Sequence, residues 1–99
     1  MKQIYARQGD LLIEKVAETT QTLALVKNPV LAGSHDGTHT VLGDVLYAKN
    51  GREHFVRSSE DTSISHASRH KSVPLVAGQL YRIWPQIERR GDGDADVED

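Results

Sequence analysis

Four of the five histidines in this 99-residue chain form two matched pairs, His35/His39 and His66/His70, each with three residues between its members. The chain has no cysteine, so imidazole supplies its only soft metal ligands. Imidazole is also the one side chain that titrates near neutral pH without special tuning. Together with a carboxylate such as Asp36, such nitrogens suit zinc, iron or manganese. A bound ion would act as a Lewis acid on a small substrate.

Spacing alone does not decide whether either pair chelates. In a helix or tight turn, residues four apart lie about 5–6 Å from each other at Cβ. In an extended strand they lie about 13 Å apart, from a rise near 3.3 Å per residue. Ala67-Ser68-Arg69 permits a helical turn, and Val73-Pro74 beyond it favours a return to extended backbone. Asp36-Gly37 predicts a bend that brings His35, Asp36 and His39 together. Loops around His35–His39 and His66–His70 could converge at one barrel mouth. The alternative is four polar loop residues bonded to nearby backbone. His54, the fifth, is expected to pack against or hydrogen-bond with Tyr47.

Other patterns are less specific. Asp92-Gly93-Asp94-Ala95-Asp96 resembles the start of a calcium loop but lacks the sixth-position Gly and twelfth-position Glu. No Gly-x-Ser-x-Gly elbow marks a nucleophilic serine, and no phosphate-binding glycine loop occurs. Arg52, Arg57, Arg69, Lys71 and Arg82 form a basic patch if the last strands lie side by side. It would take a phosphate, a nucleotide or an acidic protein surface. The alternative is an ordinary charged β surface.

These residues must be held by a small domain. Hydrophobic residues make up 37% of the chain and aromatic ones 5%, which predicts a thin core that gains from homo-oligomerisation. Five of the 14 acidic residues lie at Asp92, Asp94, Asp96, Glu98 and Asp99, leaving nine acids against 12 bases in residues 1–90. The expected division is a mildly basic β domain over 1–90 and a disordered acidic tail over 91–99. The bias is too weak to predict nucleic-acid binding. Neither a signal peptide at Met1-Lys2-Gln3-Ile4-Tyr5 nor a stretch of membrane-spanning length is evident, and with no cysteine this suggests the cytoplasm.

The elements that emerge are strands and turns. Gln8-Gly9-Asp10 turns into a first strand over residues 11–16, and residues 17–22 read as a loop. Short apolar runs follow at 23–26 and 30–32. Asn50-Gly51 predicts a type I′ hairpin turn. Counting outward pairs Lys49 with Arg52, Tyr47 with His54, Leu46 with Phe55, Val45 with Val56 and Asp44 with Arg57. The two apolar pairs fall on opposite faces, so this sheet is expected to be covered on both. Further strands are expected from Ile64, over 73–76, and over 79–84, where Pro85 marks an edge or an end. The pattern is that of an all-β fold, a small β-sandwich or barrel.

Three segments taken in order resemble a group of small, mostly uncharacterised phage and bacterial proteins. Arg7-Gln8-Gly9-Asp10-Leu11-Leu12-Ile13 is similar to their opening "QGDVLL" strand. Leu31-Ala32-Gly33, followed by Gly37-Thr38-His39-Thr40-Val41, is similar to a central "TGH-x-H" stretch. His70-Lys71-Ser72-Val73-Pro74-Leu75-Val76-Ala77-Gly78-Gln79-Leu80-Tyr81-Arg82 resembles an "H-x-P-I-x-L-P-x-G-x-Y-x-V" ending. The resemblance implies a cupin-like, jelly-roll or other β-barrel fold and a phage or prophage origin, with no established activity. The expected function is that of a non-enzymatic binding or accessory module acting on a protein partner or a small anionic ligand. The alternative is a cupin-like protein or enzyme holding zinc, iron or manganese through His35, His39, His66 and His70.

Overall fold

A computed structural model describes residues 3–9, 11–31, 38–66 and 71–85. Nine strands run in order: β1 (Gln3–Gln8), β2 (Leu11–Val16), β3 (Ala24–Lys27), β4 (His39–Val41), β5 (Asp44–Asn50), β6 (Glu53–Arg57), β7 (Thr62–His66), β8 (Val73–Leu75) and β9 (Leu80–Pro85). They form two antiparallel sheets, one ordered β1-β2-β9-β6-β5-β3 and the other β4-β7-β8. The fold is all-β and sandwich-like, as the turn spacing predicts. Among the described residues no helix is long and apolar enough to cross a membrane. The acidic segment 91–99 lies outside the described residues.

Strand alternation assigns the faces. Leu11 and Ile13 of β2, Val45 of β5, Val56 of β6, and Tyr81 and Ile83 of β9 turn inward. They meet Val41, Ile64, Val73 and Leu75 from the smaller sheet, with Leu31. All eleven are buried, so the core is one layer of side chains between two sheets. Polar contacts join the sheets at one side: the Tyr5 hydroxyl donates to the Pro74 carbonyl at 2.8 Å, and the Val76 amide donates to the Tyr81 hydroxyl at 2.9 Å.

The β5–β6 hairpin departs from the expected register. Asn50 pairs with Glu53, Lys49 with His54, Ala48 with Phe55, Tyr47 with Val56 and Leu46 with Arg57. The turn therefore lies one residue later, at Gly51-Arg52. Gly51 takes the first central position with a φ of +64°, while Arg52 keeps a negative φ. This is the type II′ arrangement, which needs left-handed backbone only where glycine supplies it. A type I′ turn would have forced Asn50 there as well. Each strand residue gains a partner two positions away, so the faces are unchanged. Arg57 therefore stands opposite Leu46 and not Asp44, whose partner is Lys27 of β3, on the other side of β5. One other expectation also changes: the strand at residues 11–16 is the second, because residues 3–8 form one before it. β9 is central, flanked by β2 and β6, and ends at Pro85, one of the two outcomes expected of that proline.

The outer face of the large sheet is organised by one cation. Arg82 stands opposite Glu14 on β2 and Phe55 on β6. Its Nη1 lies 3.0 Å from Glu14 Oε1, its Nε and Nη2 both reach Glu53 Oε2, and its guanidinium lies 3.9 Å over the Trp84 ring. Burial opposes its charge, but the bonds to Glu53 and Glu14 outweigh this and raise its pKa. Glu14 is only 3% exposed, so Arg82 is what makes its burial tolerable. Replacing Arg82 with Ala leaves that carboxylate buried without its counter-charge and is expected to cost about 3 kcal/mol in urea unfolding. The double variant Glu14→Leu/Arg82→Met should recover most of the loss, since both charges then leave together.

Candidate functional site

Two histidines meet inside the sandwich, one from each of the sequence pairs. His39 opens β4 and His66 closes β7, and the register sets them directly opposite each other. Alternation points His39 and Val41, like Ile64 and His66, toward the core, where β-branched Thr40, Val41 and Ile64 suit short strands. The imidazole centroids are 4.5 Å apart at an interplanar angle of 67°, an edge-to-face contact. His39 is fully buried and His66 is 8% exposed. The Nε2 atom of each ring is buried.

Gln8, the last residue of β1, orients the His39 ring. Its Nε2 donates to the carbonyls of Ile64 and Lys71, both at 2.9 Å. Two donor bonds identify the amide nitrogen, so the oxygen must face His39, whose Nδ1 lies 2.8 Å away. That contact requires His39 to carry its proton on Nδ1. In the neutral ring the lone pair then sits on Nε2, the arrangement by which an outer hydrogen bond fixes the tautomer of a metal-ligating histidine. The sequence reading placed Gln8 in a turn and missed this role. The available signal was its parity with Ala6: alternation turns an uncharged polar side chain into the core.

The remaining candidates are placed as follows. His35, Asp36, Arg69 and His70 lie outside the described residues. Among the described residues no cluster of three or more His, Asp or Glu side chains is positioned to hold a metal. Arg52 lies in the β5–β6 turn and Arg57 at the far end of β6, while Arg82 is held by Glu14 and Glu53. Lys71 belongs to the stretch beside β8 and contributes its carbonyl to Gln8. Of these basic residues, Arg52, Arg57 and Arg82 belong to the large sheet and its β5–β6 turn, and Lys71 stands beside β8 of the small one. An open cleft of about 280 Å³ with Asp44, Glu60 and Asp61 in its wall lies beyond Val41, at the opposite end of β4 from His39. Asp61 there accepts the Ala77 amide at 2.9 Å.

His54 is a separate matter. It is 2% exposed, and its Nδ1 lies 2.7 Å from the Tyr47 hydroxyl, the partnership expected from sequence, reached diagonally across the strands. Its Nε2 is buried with no hydrogen-bond partner among the described residues. Burial, and after it the charge of Lys49 opposite, lowers its pKa from 6.5 to about 4. The unfolded chain therefore binds a proton that the folded chain refuses between these values. Stability contributed by neutral His54 is full above pH 6.5 and is lost as pH falls toward 4, by about 3 kcal/mol in all. In urea titrations at pH 7, 5.5 and 4, His54→Gln should lose this part of the slope, and an unchanged slope would refute the assignment.

No protein-family model matches the chain, and no curated protein or solved structure matches it, so the geometry of Gln8, His39 and His66 is what a functional reading rests on.

Proposed function

We propose that this chain is a small non-enzymatic binding module whose ligand is a divalent transition ion seated on His39 and His66. The observation that supports it is the convergence of the two rings in the core, with Gln8 holding His39 in the tautomer that turns an Nε2 lone pair away from the hydrogen bond. Two imidazoles leave coordination positions for water or a small anion, which joins the metal reading to the anionic-ligand reading. Zinc, iron(II) and manganese(II) are the candidates to test, zinc and iron(II) being those of the three that imidazole suits best.

Thermal unfolding of untagged protein tests this. An ion at about 100 times its dissociation constant stabilises a fold by about 2.7 kcal/mol, a rise in Tm of about 10 °C or more for a domain of this size. The rise is expected with at least one of the three ions, and His39→Ala and His66→Ala should each abolish it. The His54→Gln variant should keep it. No rise with any of the three, or a rise that survives both alanine variants, refutes the reading.

A second reading, a protein-partner surface, is favoured by Leu25 and Leu46. They stand opposite each other on β3 and β5 and are 69% and 37% exposed at the edge of the large sheet. A homo-oligomer formed through this edge fits the thin core, and the QGD-type resemblance supports a cupin-like relative of phage or prophage origin. The lack of cysteine supports a cytoplasmic setting. Sedimentation equilibrium should show a species larger than the monomer that Leu25→Lys disperses. A monomer at high concentration would sink the idea.

A further inference from the structure

β3 is one margin of the large sheet. Among the described residues it pairs with β5 alone, so one side of its backbone has no strand beside it. Two observations agree on which groups that side carries. The Asn28 amide donates to the carbonyl of Gly43, which stands directly opposite it, and antiparallel bonding then recurs at every second residue. The two-residue turn between β5 and β6 makes Asn50 and Glu53 a bonded pair. That turns the backbone of Leu46 and Ala48 toward β6, and that of Val45 and Tyr47 toward β3. Either way, Ala24 and Val26 bond to β5, and the N–H and C=O groups of Leu25 and Lys27 point outward.

The margin is short. Asn28 has a φ of +49°, which turns the chain out of the strand, and Pro29 lacks an N–H. Apolar side chains flank it on both faces. Leu25 and Leu46 are exposed on the outer one, and on the inner one partly buried Val26 stands opposite Val45 of the core. At the other margin β1 is tied to the small sheet through Tyr5 and Pro74, so β3 is the margin left to extend the sheet.

We infer that β3 pairs antiparallel with β3 of a second copy, in the register centred on Val26, and joins the two large sheets into one. This rests on the oligomer reading above and adds to it the backbone bonds and the register. Opposite residues must turn their backbone groups the same way, so a two-fold pairing centres on a residue. Centred on Lys27, like charges stand face to face. Centred on Ala24 or Leu25, Lys27 faces residues that precede the partner's β3. Centred on Val26, Leu25 exchanges both bonds with the partner's Lys27, and every outward group of β3 is met. Val26 then lies against the partner's Val26 at the closer spacing of a non-bonded pair, and the row from Val45 runs on into the second copy. The stem of the partner's Lys27 covers Leu25 while its ammonium stays in water. A longer peptide would find no further groups past Asn28, whereas a second β3 matches the edge residue for residue. A strand of four residues covers less than a standard interface of about 1,200–2,000 Å², so the dimer is a weak one, with a Kd above about 1 μM.

The chain has no cysteine, so single cysteines report the register under mild oxidation. Val26→Cys should crosslink to its own copy, because opposed residues at the closer spacing lie within disulfide reach. Leu25→Cys stands diagonal to its counterpart and should crosslink more slowly. In the unsubstituted chain, hydrogen exchange at the Leu25 and Lys27 amides should slow as protein concentration rises, while Val26, bonded to β5, is slow throughout. Lys27→Pro removes an outward N–H and leaves Leu25 and the bonds to β5 in place. It should weaken dimerisation at least about tenfold in sedimentation equilibrium. A dimer that crosslinks faster through Leu25→Cys than through Val26→Cys, or whose Leu25 and Lys27 amides exchange independently of concentration, overturns the pairing and leaves the oligomer reading standing. A strict monomer overturns both.

Discussion

A polar group taken out of water must find its partners inside the protein, and in this chain one side-chain amide meets that demand for three others. Gln8 accepts from His39 and donates to two carbonyls, Ile64 and Lys71. Through it the end of β1 is tied to the start of β4, to β7, and to the backbone just before β8. The first belongs to the large sheet and the rest to the small one. The amide thus clamps the two layers together where the core is least apolar. It also sets the tautomer of a buried imidazole. The same bonds that hold the sandwich shut fix the tautomer of His39, so the stability of the sandwich and the state of that ring cannot be separated by a single substitution at Gln8.

The large sheet carries charge and apolar area on its outer side as well as its inner one. Glu14, Arg82 and Glu53 satisfy one another over Phe55 and Trp84, whereas Arg57 at the other end of β6 is left with a buried, unmet Nε. Arginine on this face is ion-paired in one place and without an ion pair to a described residue in the other. The difference follows from cross-strand partners: Arg82 stands opposite a carboxylate, and Arg57 stands between two leucines, Leu46 and Leu80.

Much of the architecture was legible from local pattern. The Gln8-Gly9-Asp10 turn before residues 11–16 and the Asn50-Gly51 dipeptide located strands because strand composition and turn chemistry are properties of neighbouring residues. The hairpin register was misplaced by one turn position, since Asn-Gly tolerates more than one turn type and only the packed sheets choose between them. β1 escaped notice because its alternation is broken: a bulge between Ile4 and Ala6 shifts the pairing. The His54–Tyr47 partnership was legible because seven residues of hairpin separate the two.

By itself, the sequence determined the fold class, most of the strand positions, and the fact that, with no cysteine, histidine supplies the nitrogen ligands a transition ion would use. Tertiary structure alone decided which imidazoles meet. The sequence suggests pairs four residues apart, yet among the described residues the rings in contact are His39 and His66, 27 positions apart and brought opposite each other by the β4–β7 register. The residue that orients His39, Gln8, is 31 positions from it. Contacts at such separation depend on how strands are ordered in a sheet and on which sheet covers which. Periodicity along the chain carries no information about either.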